Sequence, residues 1–157
     1  MNRHDNNAGS MGIPSDDGWD FSMLLPNVVE ALPELAEAVE MFGQQSGWTD
    51  AIVMQVNLVL EELVVNAITN GYPDGREGHI DVRIKTTAEA VHIRITDDGN
   101  AFDPFTVAAP DLSLAVEDRP IGGLGIYLVR SYMDYCGYQY VQQRNQVSLT
   151  KRLPLSV

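Results

Sequence analysis

Between residues 79 and 98 apolar and polar side chains take turns. Ile80, Val82 and Ile84 are interleaved with Asp81, Arg83 and Lys85, and Val91, Ile93 and Ile95 repeat the pattern. A period of two predicts half-buried strands over 79–87 and 90–98, and the short link between them predicts an antiparallel hairpin. Elsewhere the period lengthens. Val28, Leu32, Leu35, Val39 and Phe42 are spaced for a helix over 28–47. Pro33 should either kink it or mark the first turn of a helix that starts later. Ile52, Val56, Leu60, Leu63 and Ala67 form the apolar stripe of a second helix, from about 51 to 70. Thr49 or Asp50 suits its N-cap, and Gly71 its C-terminal cap.

The remaining chain is read from its punctuation. "WDFSMLL" (19–25) predicts a short first strand, broken by Pro26-Asn27. Residues 99–121 read as a long loop, 122–136 as a helix that opens on glycines, and 137–144 with 146–153 as a closing hairpin. Helices and strands are mixed without the alternation of a doubly wound parallel fold. The expected architecture is α+β: a two-layer sandwich with a mixed, mostly antiparallel sheet and helices on one face. The polar stretch 1–18 reads as a flexible tail, and 19–157 as one domain.

Composition narrows the function. Hydrophobic content is 45% and net charge is −12, so the chain is globular and lacks the basic surface that nucleic acid requires. A basic protein partner or a metal-bound nucleotide is compatible with that acidity. Cys136 stands alone, which excludes an intrachain disulfide and a structural zinc site and fits a reduced, cytoplasmic setting. No apolar run approaches the length of a membrane span, and the first residues lack the apolar segment of a signal peptide.

Three stretches carry polar residues that a core would not choose. In "LVLEELVVNAITNGY" (58–72), Glu62 and Asn66 lie one turn apart on one side of the helix, and Asn70 extends the row. A carboxylate accepts protons, and an amide oxygen is a hard neutral ligand for Mg²⁺. In "ITDDGNAFDP" (95–104) a strand ends in aspartates followed by Gly99. An aspartate there can accept from an exocyclic amine, and the glycine allows close backbone approach. In "RPIGGLGIYLVRSYMD" (119–134), Gly122, Gly123 and Gly125 open a helix whose free N–H groups suit phosphate. The spacing is neither the dinucleotide fingerprint nor a P-loop. Each stretch alone also reads blandly, as solvated charges, as a turn, and as a loop before an amphipathic helix. Their order, however, is that of one ATP site in which separate elements supply metal ligand, base recognition and phosphate binding.

The chain resembles the bacterial anti-sigma-factor serine/threonine kinases of the RsbW and SpoIIAB type, within the GHKL group of ATP-binding proteins. The resemblance spans roughly residues 20–153. It rests on "EELVVNAITNGY" as an N box, "DDGNAFDP" as a first glycine box and "GGLGIYLV" as a second. It implies the Bergerat-type ATP-binding fold. It also implies that Asn66 holds Mg²⁺ against the triphosphate, and that Glu62 is the general base toward a serine or threonine hydroxyl. Asp97 would take the adenine amine, with Gly99 behind it. Gly122, Gly123, Leu124 and Gly125 would lie near the phosphates, and Asn70 and Ala101 would also belong to the nucleotide-binding set. Residues 104–121 would form an ATP lid, with Arg119 near the γ-phosphate. Two departures stand out. Ala101 replaces the second glycine of the first box, and Arg144-Asn145 stand where a Gly-Thr pair is expected, so Asn145 is the candidate to replace the hydroxyl's hydrogen bond.

By the same resemblance, the partners are a sigma factor and a STAS-domain anti-anti-sigma factor that is the protein substrate. A homodimer using Trp19, Phe21 and Leu24 is a further possibility, although those residues equally suit a core. The alternative is an ATP-binding module that sequesters a partner without efficient phosphotransfer.

Overall fold

The structure is a computed structural model. It describes residues 18–106, 113, 115 and 124–155. Five strands form one sheet in the order β1-β2-β3-β5-β4: β1 (Phe21–Pro26), β2 (His79–Thr86), β3 (Ala90–Asp97), β4 (Tyr135–Val141) and β5 (Arg144–Arg152). Every pairing is antiparallel, so the expected mixed sheet contains no parallel pair among the described strands. The predicted alternation sets the register. Ile84 lies opposite Ile93 and Val82 opposite Ile95, and Val147 and Leu149 continue the same face on β5. A slip of one residue would turn this whole apolar set to solvent.

Three helices, α1 (Leu32–Gln45), α2 (Asp50–Gly71) and α3 (Leu124–Tyr132), share one core with that face. Pro33 does not kink a helix. A 3-10 turn over Val29–Ala31 precedes α1, and Pro33 sits in the first turn of α1, where its missing N–H costs nothing. At α2 the expected cap is present: Thr49 accepts a hydrogen bond from the Ile52 N–H at 3.3 Å. Gly71 is a correction. It is the last helical residue, with Tyr72 after it, and it does not take the left-handed conformation of a C-terminal cap.

By length and composition α2 is also apolar enough to cross a membrane, contrary to the reading that no run approaches that length. Its apolar residues instead serve the core, with Val56 and Val59 fully buried and Leu60 nearly so. The last helix is shorter than expected. It ends at Tyr132, and residues 135 and 136 belong to β4. The closing hairpin turns on Gln142 and Gln143, whose φ values of 53° and 60° lie in the left-handed region that such two-residue turns require.

Candidate functional site

The C-terminal end of β3, the last turns of α2, the start of α3 and the first residues of β5 converge. Asp97 is the last residue of β3 and is buried at 5% exposure. Its neighbour Asp98 faces elsewhere. Asp98 Oδ1 accepts from the Tyr72 hydroxyl at 2.5 Å and from the His79 N–H at 3.1 Å, while the Asp98 carbonyl accepts from Arg76 Nη2 at 2.8 Å. Asp98 thus ties the turn after α2 to β2, and Asp97 is the one that enters the site. Their protonation differs accordingly. Burial raises the Asp97 carboxyl above the usual carboxylate range, against hydrogen bonds from Asn145 and Gly99. For Asp98, burial is outweighed by the Tyr72 and His79 hydrogen bonds and the Arg76 charge, and its pKa is lowered.

Asn145 holds Asp97 in place. Its Nδ2 donates to Asp97 Oδ1 at 2.8 Å, to the Asn100 carbonyl at 2.9 Å and to the Gly99 carbonyl at 3.3 Å. Its Oδ1 accepts from the Phe102 N–H at 3.0 Å and from the Tyr138 hydroxyl at 2.6 Å. Two donors on one atom and three acceptors around the other fix which way the amide points. Asp97 Oδ1 also accepts from the Gly99 N–H at 2.9 Å. Both bonds to Asp97 fall on Oδ1, so its other oxygen, Oδ2, accepts none from the described residues.

Asp97 and Asn145 line a cavity with an apolar wall. Leu63 and Ala67 come from α2, Ile95 from β3 and Val147 from β5, and Phe102, Pro104 and Asn66 complete it. The walls have the chemistry for a flat, mostly apolar ring with one exocyclic donor, since a few placed polar groups in an apolar pocket fix a ligand's orientation; the free space is about 20 Å³, so side chains must move apart to admit one.

Gly99 makes a close approach, but to protein. A Cβ there would lie 2.8 Å from Gly71 Cα and 2.9 Å from Asp97 Oδ1. The end of α2 therefore packs directly on the turn after β3, where the Asn100 N–H donates to the Gly71 carbonyl at 2.7 Å. Ala101 lies exposed on that turn, away from the Gly71–Gly99 contact.

Glu62 and Asn66 are half-buried on α2, one turn apart. A Cβ at Gly125 would collide with the Glu62 carboxylate and lie 2.7 Å from its Cδ. The lack of a side chain at Gly125 is thus what lets Glu62 reach the first turn of α3, where helix N–H groups favour negative charge. Leu124, which opens α3, is exposed. Asn70 Nδ2 donates to the Asn66 carbonyl at 3.0 Å, and only distantly to Asn66 Oδ1 at 3.5 Å. Asn70 thus braces Asn66 and is not among the residues lining the cavity.

Arg119, Gly122, Gly123 and most of the expected lid lie outside the described residues. At the near end of that loop, Arg130 of α3 donates to the Phe105 carbonyl at 2.8 Å and stacks on its ring. Among the described residues no group of three acidic, histidine or cysteine side chains converges. Asn66 lines the cavity, and its amide oxygen is the kind of hard neutral donor that Mg²⁺ accepts, alongside phosphates and water.

Motif reasoning missed Tyr138, Phe102 and Pro104. Only the register could have found Tyr138: strand alternation puts it on the inner face beside Val147, two residues from Asn145.

A small apolar cavity closed by a strand-end aspartate, with a carboxylate–amide row leading away from it, has the polar and apolar walls of a nucleotide-binding domain of the two-layer α+β class. The model of the histidine kinase-like ATPase domain family matches residues 25–151, and the chain belongs to that family. Membership implies ATP binding. The chain is similar to a serine/threonine-protein kinase, BtrW, of Bordetella bronchiseptica, at 26% identity over 71% of this chain and 79% of that protein. It is also similar to the serine-protein kinase RsbW of Bacillus subtilis, at 25% identity over 68% and 71%. An anti-sigma F factor of Anoxybacillus flavithermus is 26% identical over 65% of this chain and 70% of its own.

Proposed function

We propose that the protein is a cytoplasmic, ATP-dependent serine/threonine protein kinase and anti-sigma regulatory factor. It binds a sigma factor, and it phosphorylates a STAS-domain anti-anti-sigma factor that competes for it. The observation that carries this reading is the position of Glu62. It is a carboxylate one turn from Asn66, in contact with the start of α3 and close to a cavity that holds Asp97. Names of similar proteins, two kinases and an anti-sigma factor, support the same reading.

Each residue then has a task. Asp97 accepts from the adenine amine, and Leu63, Ala67, Ile95 and Val147 enclose the ring. Asn66 would hold Mg²⁺, which would supply charge neutralisation at the phosphates. Gly125, with Gly122, Gly123 and Leu124, brings backbone N–H groups to the phosphates, and Arg119 reaches the terminal one. Glu62 takes the proton of the substrate hydroxyl. The freed oxygen bonds to the γ-phosphorus as the bond to the β-phosphate bridging oxygen breaks, leaving ADP and a phosphoprotein.

The test pairs calorimetry with a transfer assay. The protein should bind Mg²⁺-ATP and place phosphate on serine or threonine of a cognate STAS-domain protein. ATP-dependent partner binding without transfer would instead establish a sequestering module. Absence of any adenine-nucleotide binding would remove both readings.

A further inference from the structure

Glu61 is left unused by the nucleotide site. It is exposed and faces a groove between α1 and α2. The two helices are joined by residues 46–49 only, which makes them antiparallel neighbours. Leu32, Ala36, Met54 and Leu58 form the open floor of this groove, over buried Leu35 and Leu60. Met54 keeps 55% of its surface in solvent, and Val29, at the α1 entrance, keeps 49%. Exposed apolar side chains gathered in one groove, with charge on either side, offer a surface for a partner.

The rims are acidic. Glu37 and Glu40 follow Pro33 and Ala36 along the exposed side of α1, and Asp50 and Glu61 flank Met54 on α2. Residues 19–75 contain nine acidic side chains and no lysine, arginine or histidine. Among the described residues none of these four rim carboxylates has an ion-pair partner. Most of the positive charge among the described residues lies on the other layer, where Arg83, Lys85, Arg94, Arg144, Lys151 and Arg152 are carried by the sheet.

We propose that this groove docks a basic amphipathic helix of a partner protein. Its apolar stripe, spaced i, i+3, i+4 and i+7, would lie on the floor, and lysine or arginine on either side would meet the acidic rims. The groove runs along α2 from Met54 to Glu61, eight residues or about 12 Å, so it takes about two turns of such a helix. Met54 suits this use because a thioether adapts to different apolar partners. A second copy of the chain is disfavoured as occupant, since two-fold pairing of this face sets acidic rim against acidic rim. The proposal does not rest on the kinase reading, and its test contains no nucleotide.

The probe is an 18-residue leucine–lysine peptide of amphipathic pattern. The control is a scrambled peptide of the same composition and charge. By fluorescence anisotropy the full chain should prefer the patterned peptide by about tenfold, because charge alone steers association while apolar complementarity sets affinity. Glu37→Lys with Glu61→Lys should erase that preference, and Glu77→Lys with Glu89→Lys, of equal charge change outside the groove, should leave it. The Met54 methyl resonance should shift on binding while that of Met23 in β1 stays. Equal binding of the two peptides would overturn the proposal. So would equal losses in the two double variants, an unmoved Met54 resonance, or a peptide-independent dimer that covers Met54.

Discussion

Asn145 Nδ2 donates to Asp97 Oδ1 at 2.8 Å, joining the start of β5 to the end of its neighbour β3 across a buried contact. This bond occupies one carboxylate oxygen and leaves the other for a ligand. It also explains why asparagine can stand where a Gly-Thr pair is expected. An amide supplies both the donor to the aspartate and an acceptor for the Phe102 N–H, which closes the turn over the cavity.

Asn145→Ala should therefore strand Asp97 Oδ1, the Phe102 N–H and the Tyr138 hydroxyl. An unpaired buried polar group costs roughly 1–3 kcal/mol. The expected outcome is ATP affinity weakened by about 10- to 100-fold and a melting temperature lower by about 6 °C. Tyr138→Phe removes one donor and should weaken ATP about fivefold. Calorimetry and thermal melting check both.

Asp97 and Asp98 should respond oppositely to pH. Burial raises the Asp97 pKa, so its contribution to stability is fully present below the unfolded carboxyl pKa and is lost as pH rises through the folded value. Asp97→Asn should raise stability at neutral pH. It should also lose ATP, because an amide –NH₂ turned to the cavity cannot accept from the adenine amine. Asp98 has the lowered pKa, and its contribution is present above the unfolded pKa and is lost as pH falls through the folded one. Asp98→Asn should flatten the acid side of the stability profile while lowering its neutral plateau. Denaturant titrations across pH 3–8 check both signs.

Gly125→Ala should disturb catalysis more than binding. The new methyl collides with the Glu62 carboxylate, and the end of a flexible side chain is what gives way. We expect phosphotransfer reduced by about 10²-fold as the base is displaced, with modest loss of stability. Gly99→Ala is the contrasting case. Its methyl meets the Gly71 backbone, which cannot turn aside, so unfolding should become easier by about 1–3 kcal/mol. Transfer assays and denaturant melts separate the two.

The sheet and helices were legible because their periods are clean: Ile80, Val82 and Ile84 announce the inner face of β2, and Thr49 announces the start of α2. The choice of Asp97 over Asp98 followed from the resemblance, and the structure brings Asp97, not Asp98, to the cavity. Gly71 misled because glycine at a helix end suits both a left-handed cap and a close packing contact, and only the partner strand decides between them. The same ambiguity hid the role of Gly99, whose neighbour across the contact is 28 positions away in sequence. Tyr138 was illegible for a related reason: its hydroxyl matters only once the β4–β5 register places it against Asn145. The groove at Glu61 needed the four-residue connection and the spacing of α1 and α2 together.

The most direct measurement of the central claim compares wild type, Glu62→Gln and Glu61→Gln in transfer of phosphate from Mg²⁺-ATP to the cognate STAS-domain protein, with ATP affinity measured on each. Glu62→Gln should lose transfer by about 10²–10⁴-fold while ATP binding stays within about twofold of wild type. Glu61→Gln, on the exposed side of α2, should retain both. Equal transfer by wild type and Glu62→Gln, or a loss in Glu61→Gln as complete as in Glu62→Gln, would contradict the assignment of the base.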